Sequence, residues 1–326
     1  MVRPRLDLTL DLDVQCDLTR KIDERMSDKK SVSLVLSSGG ARGLAHIGAI
    51  RCLEDLGYQI QTVSGSSMGA LVGGIYAAGQ LEEYETWVRA LRRSDIVQLM
   101  DFGLWSGAGL LKGDRIIEAL RELVGEHNIE ELPVGFTAVA TDLHRKREVW
   151  LKEGSLFDAV RASIAIPMVF TPVQRGSQLL VDGGVLNPLP IAPTLNHSTD
   201  LTVAVDVNCS NFIELPKSTV GTQMPDIESE TDESTRNAVA AFVSRWFSPS
   251  AKQEEKSDKG VIEIMMDSMD AMQVSISRLK SSAYSPDVLV SIPGNICHVF
   301  EFERAGEMID IGYQTTLESL NQRLSD

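Results

Sequence analysis

Short, almost wholly apolar runs alternate along this chain with stretches whose apolar residues recur at helical spacing. Ser31 to Ser37, carrying Val32, Leu34, Val35 and Leu36, predicts a buried first strand. Leu44, Ile47, Ile50, Leu53 and Leu56 follow on one helical face, and Gly57 stops them. A second strand leads into Ser67, and a small-residue helix runs from there to about Ala78, with Gly79 as its stop. Residues 81–125 read as helical, Val134 to Thr141 as a strand, and Glu148 to Leu151 as its neighbour. Ser155 and Asp158 form a helix-start signature, and Ile166-Pro167 marks the end of that helix. Leu179 to Val181 and Leu201 to Val207 are further strands. Ile262 to Leu279 predicts a Met-rich core helix, Pro286 to Pro293 a last strand, and Phe302 to Leu324 a closing amphipathic helix. Strands and helices alternate without an internal repeat. The pattern predicts an α/β fold with a mostly parallel central sheet covered by helices on both faces.

Two segments stand apart. Residues 1–30 are charged and mixed; Leu6, Leu8, Leu10, Leu12 and Val14 alternate as an edge strand does, and the segment reads as an appendage without assigned function. Residues 210–260 carry Asp226, Glu228, Glu230, Asp232 and Glu233 and a second charged run at 252–259, the composition of a flexible acidic insertion. Between those runs Val239, Phe242, Val243, Trp246 and Phe247 sit at helical spacing beside Arg236 and Arg245. That helix either covers the core or lies on a membrane surface.

Charge narrows the function. The formal net charge is −15, which excludes the basic footprint of a nucleic-acid binder and argues against electrostatic adhesion to anionic membranes, though not against hydrophobic docking. No run reaches the ~18 apolar residues of a spanning helix, and no apolar core follows the first charges as in a secretory signal. Cys16, Cys52, Cys209 and Cys297 lack metal or disulfide spacing, which fits reduced thiols in a cytoplasmic protein.

The chemistry concentrates in three places. Gly65-Ser66-Ser67-Met68-Gly69 is a G-x-S-x-G between a strand and a helix, the setting that lifts a serine hydroxyl out of a sharp turn as a nucleophile. The glycines there keep side chains from crowding the turn or blocking approach to Oγ. Ser38-Gly39-Gly40-Ala41-Arg42-Gly43 is a glycine loop between strand and helix, a ready anion site. It lacks both the dinucleotide G-x-G-x-x-G spacing and the Gly-Lys-Ser/Thr ending of a P-loop, so it reads as an oxyanion hole beside Ser67. Asp182-Gly183-Gly184 is a carboxylate at the end of a strand, followed by a turn. Ser67 needs a base. Asp182 in direct contact makes a dyad, whereas His298, which follows Asp182 in Ser–Asp–His order, would complete a triad; His46, His127 and His144 precede Asp182, and His197 lies in a polar stretch. Acyl transfer to an alcohol, or a non-catalytic anion-binding module, are the other readings of the same residues. Phe102 to Trp105 and Gly107 to Leu111 form an apolar, glycine-broken loop, a core connection or an acyl-chain lip.

These three blocks, in this order, resemble the signatures of the patatin-like phospholipases, and the bacterial group related to the neuropathy-target-esterase catalytic domain is the most similar. Ser163-Ile164-Ala165-Ile166-Pro167 resembles an internal segment of that family, and the match spans roughly residues 31–320 in element order. Ser38 stands where the family's loop opens with Gly, which leaves the backbone donors intact. The resemblance implies a three-layer patatin-like hydrolase domain over 31–326. It implies Ser67 as nucleophile, Asp182 as base and N–H groups around Gly39, Gly40 and Ala41 as oxyanion hole, with Arg42, Gly43, Gly65, Gly69, Gly183 and Gly184 shaping the motifs. It further implies hydrolysis of phospholipid or lysophospholipid acyl esters without metal or cofactor, at transient contact with a membrane surface.

Overall fold

The computed structural model describes residues 30–99, 111–209 and 261–325. The edge strand expected at 6–14, the acidic insertion at 210–260 and most of the loop at 102–110 lie outside these residues.

An eight-stranded sheet forms the centre, with strands β1 (Ser31–Leu36), β2 (Gln59–Ser66), β3 (Gly135–Asp142), β4 (Arg147–Leu151), β5 (Val173–Arg175), β6 (Gln178–Asp182), β7 (Leu201–Cys209) and β8 (Val288–Pro293). Their order is β5-β6-β3-β2-β1-β7-β8, with β4 also paired to β3. The run β3-β2-β1-β7-β8 is parallel, while β4, β5 and β6 add antiparallel pairings at the β3 side. β1 is the central strand: Leu36 lies beside Gly65 of β2 on one side and Val205 of β7 on the other. It is buried on both faces from Val32 to Leu36, and its second half, Leu34-Val35-Leu36, is accordingly a continuous rather than alternating apolar run.

Helices α1 (Ala45–Asp55), α2 (Met68–Ala77) and α8 (Ala305–Ser325) pack with Val32, Leu34 and Leu36 into the main core. α3 (Leu81–Ala90), α4 (Arg93–Leu99), α5 (Asp114–Val124) and α6 (Leu156–Ser163) extend that layer. On the opposite face Val35 and Ala204 meet Leu189, Ile191 and Tyr284, the last residue of α7 (Val261–Tyr284). Ser155 caps α6 by accepting the Asp158 N–H at 3.3 Å, as its spacing predicts. That helix ends at Ser163, ahead of Ile166-Pro167.

One expectation changes. The Met-rich helix is not a core helix. Ile264, Met265, Met272 and Leu279 of α7 are exposed, because α7 lies across the sheet with only a narrow stripe turned inward. Its one fully buried position among the described side chains is Ser277. The arginines of 81–125 form surface ion pairs, as their mixture with acids implies: Arg89 with Glu85, Arg93 with Glu303, and Arg121 with Asp158.

Candidate active site

β2 ends at Ser66 and α2 begins at Met68, so strand turns to helix within one residue, Ser67. Its φ of 53° is left-handed, a strained state that a side-chain-bearing residue holds only where its surroundings enforce it. They do. The Ser67 N–H donates to Ser163 Oγ at 2.9 Å, and that hydroxyl donates to the Val139 carbonyl at 2.6 Å. Gly65 and Gly69 let the turn close: a Cβ on Gly69 would overlap the Leu36 carbonyl, and one on Gly65 the Gly69 carbonyl. Close backbone packing is thus the reason for both glycines.

Asp182 ends β6 opposite Ala140 of β3, and its own N–H donates to the Ala165 carbonyl at 2.9 Å. Asp182 is 2% exposed and Ser67 4%, so both are withdrawn from bulk water. The Asp182 Oδ1 accepts the Gly184 N–H at 2.7 Å, while Oδ2 has no aligned hydrogen bond among the described residues. Burial is the dominant influence and pushes the carboxyl up to about 7, against the Ser67 hydroxyl and the Gly184 amide, which favour the charged form. The Ser67 hydroxyl is thus near enough to favour the charged carboxylate, although no hydrogen bond joins the two side chains.

The glycine loop lies alongside. The Ser38 N–H donates to the Pro188 carbonyl at 2.8 Å, and Gly40 turns through a φ of 55°. Of the three amides expected to act together, that of Ala41 is taken up by the Val299 carbonyl at 2.8 Å, because the chain around Val299 folds over the loop. Gly39 and Gly40 remain as the loop's donors. Gly43 packs against Met68, Gly183 against the Val139 carbonyl, and Gly184 against Ser38, so the three sequence blocks meet in space. Arg42 is buried beneath the loop.

No histidine among the described residues is bonded to Ser67 or Asp182. His46 is buried with Nε2 2.9 Å from the Ser37 carbonyl, and burial lowers its pKa to about 4, so it stays neutral and donates that bond. His298 is exposed, and its backbone N–H donates to the Glu301 carboxylate at 2.9 Å.

A cleft of about 890 Å³ including its mouth opens onto Ser67 and Gly40 and runs between Leu71, Trp87, Ile116, Ile166, Phe170 and Phe302. Leu111, the one described residue of the glycine-broken loop, lines it and donates its N–H to the Val169 carbonyl at 2.8 Å. Four side chains about the site escape sequence reasoning as individuals: Ser163, Asn208, Asp270 and Gln273. The segment that begins with Ser163 stands out by resemblance. Asp270 and Gln273 are signalled only as polar positions one turn apart in a Met-rich helix.

The fold and site define an α/β protein that carries a strained serine at the carboxyl edge of a parallel sheet, beside a buried carboxylate and a glycine loop. Comparison with known proteins agrees. A family model described as patatin-like phospholipase matches residues 34–195. An uncharacterised NTE family protein of Mycobacterium bovis is 37% identical, covering 91% of this chain and 93% of its own length. A Pyricularia oryzae protein named lysophospholipase NTE1 is 27% identical over 91% of this chain and 19% of its own. Among solved structures, VipD from Legionella pneumophila aligns over 91% of this chain and 67% of that one at 15% identity, with a TM-score of 0.45. The chain belongs to the patatin-like phospholipase family, whose chemistry is lipid acyl hydrolysis. No helix among the described residues is long and apolar enough to cross a membrane.

Proposed function

We propose that this protein is a serine acyl-ester hydrolase acting on phospholipids or lysophospholipids through Ser67 and Asp182. The observation that carries the reading is a left-handed serine beside a buried carboxylate, lining an apolar cleft. The acyl chain lies in the cleft, which brings the ester carbonyl to Ser67. Asp182, with its pKa raised to about 7, is substantially ionised near neutral pH and accepts the Oγ proton as Oγ bonds to the carbonyl carbon. Negative charge builds on the carbonyl oxygen, where the Gly39 and Gly40 amides donate and the N-terminus of α2 adds positive potential. The tetrahedral adduct collapses, the C–O bond to the alcohol breaks, and Asp182 returns the proton to that leaving oxygen. Water then attacks the acyl-enzyme, Asp182 takes its proton, and Ser67 leaves reprotonated as the fatty acid departs.

A dyad is favoured over a triad because the groups acting on Asp182 are the Ser67 hydroxyl and the Gly184 amide, with no imidazole among them. Residues 31–326 act as one hydrolase domain, and the scattered cysteines fit a cytoplasmic enzyme that visits membrane surfaces. Fatty-acid release from phospholipid and lysophospholipid micelles tests the proposal. Wild type is active, Ser67→Ala and Asp182→Asn are silent, and His298→Ala stays within twofold of wild type. Collapse of His298→Ala would install the triad instead. A folded wild type with no release and no covalent serine adduct with a phosphonate would leave an anion-binding module. Product esters formed when an alcohol is added would show acyl transfer.

A further inference from the structure

A backbone N–H can hold an oxyanion only if its peptide plane is fixed, and each plane also carries the carbonyl of the residue before it. The Gly39 N–H shares its plane with the Ser38 carbonyl, and the Gly40 N–H with the Gly39 carbonyl. Both carbonyls are gripped from behind. The Ser38 carbonyl accepts Asn208 Nδ2 at 2.6 Å and the Ser37 hydroxyl at 3.0 Å. The Gly39 carbonyl accepts Arg42 Nε at 3.3 Å.

Arg42 is itself aimed by two other contacts. Nη1 donates to the Gly294 carbonyl at 2.7 Å just beyond β8, and Nη2 pairs with Asp270 Oδ1 of α7 at 2.8 Å. One turn along α7, Gln273 Oε1 accepts the Ser38 hydroxyl at 3.0 Å. Its amide nitrogen lies 2.9 Å from where a Gly184 Cβ would stand, against the Asp182 turn. α7 thus touches the glycine loop twice and the carboxylate turn once, although its sequence carries no motif.

We propose that Asp270 and Asn208 are positioning residues for the oxyanion hole: Asp270, through Arg42, sets the Gly40 amide, and Asn208 sets the Gly39 amide. Gln273 keeps the loop in register with the Asp182 turn. The proposal rests on the hydrolase reading above. Neither residue touches the acyl cleft, so losing either weakens the transition state and leaves binding of the acyl chain alone.

Asp270 is the better probe because its side chain is 45% exposed, and an ion pair so placed contributes little to folding. With a soluble short-chain ester, Asp270→Asn lowers kcat about tenfold while KM and the acid-limb midpoint of the pH profile stay put. Phosphonylation of Ser67, which also needs the oxyanion held, slows by the same factor. Asp270→Glu, which keeps the carboxylate, recovers at least half of the wild-type rate. Asn208→Ala gives a loss of similar size, and because a different plane is released, the two losses multiply in the double variant. The proposal is overturned if Asp270→Asn turns over within twofold of wild type. A change in KM alone, or a rate loss that merely follows a lowered unfolding midpoint, overturns it too. Ser67→Ala run alongside keeps the two ideas apart. Wild type without Ser67-dependent hydrolysis removes the hydrolase reading and this proposal together, whereas a Ser67-dependent wild type with unaffected α7 variants removes this proposal only.

Discussion

Asp182→Asn separates catalysis from stability at a single atom. The native carboxyl is pushed up to about 7 by burial, whereas the unfolded chain ionises it near the usual 3.8. Between those values the native state binds more protons than the unfolded one. Stability from this group is therefore complete below pH 3.8 and falls as pH rises to about 7, by roughly 4 kcal/mol in total at about 1.4 kcal/mol per pH unit. Asparagine keeps an oxygen for the Gly184 amide and removes the titration. The test is urea unfolding of wild type and Asp182→Asn at pH 5.5 and 8, reading the difference in unfolding free energy between the two proteins. That difference shifts in favour of the variant by roughly 2 kcal/mol across the interval. Meanwhile the variant loses hydrolysis by about 10²–10⁴, the range of a lost general base, and wild-type kcat/KM rises with pH to a plateau with its midpoint near 7. A pH-independent stability difference would show that Asp182 ionises freely in the folded protein and would remove the basis for its role as a poised base.

Ser163→Ala removes the acceptor of the Ser67 N–H and a donor to the Val139 carbonyl in a buried site. It costs about 1–3 kcal/mol in chemical unfolding and lowers kcat as the strained turn relaxes; unchanged kcat would mean that other contacts hold the turn. Gly69→Ala drives a methyl into the Leu36 carbonyl and yields little folded protein on expression, so a well-folded variant of normal stability would contradict the packing described. Leu71→Trp fills the cleft next to Ser67, so kcat/KM for long-chain p-nitrophenyl esters drops at least tenfold relative to the butyrate. Equal losses on both esters would place the acyl chain elsewhere.

The sequence by itself determined the order of most strands and helices, though not the short β5, and the three blocks that carry the chemistry, because each is written locally. Val32 to Leu36 is apolar except for Ser33, Ser155 accepts a hydrogen bond from the residue its spacing nominates, and Gly65 and Gly69 bracket a turn that needs both. What only the tertiary structure decided are properties that belong to pairs of distant segments. Asp182 and Ser67 lie 115 positions apart, and whether a histidine intervenes depends on how β6 is laid against β3. The loss of Ala41 as a donor depends on Val299, far along the chain. α7 is the sharpest case. Methionine, isoleucine and valine in that segment suit a core helix equally well, and hydrophobic periodicity reports which residues can be buried, not which neighbour arrives to bury them. The sheet turns only a stripe of α7 inward and leaves Met265 and Met272 exposed, while Asp270 and Gln273 reach the site. Such polar contacts have no period, since each depends on a partner supplied from elsewhere in the fold.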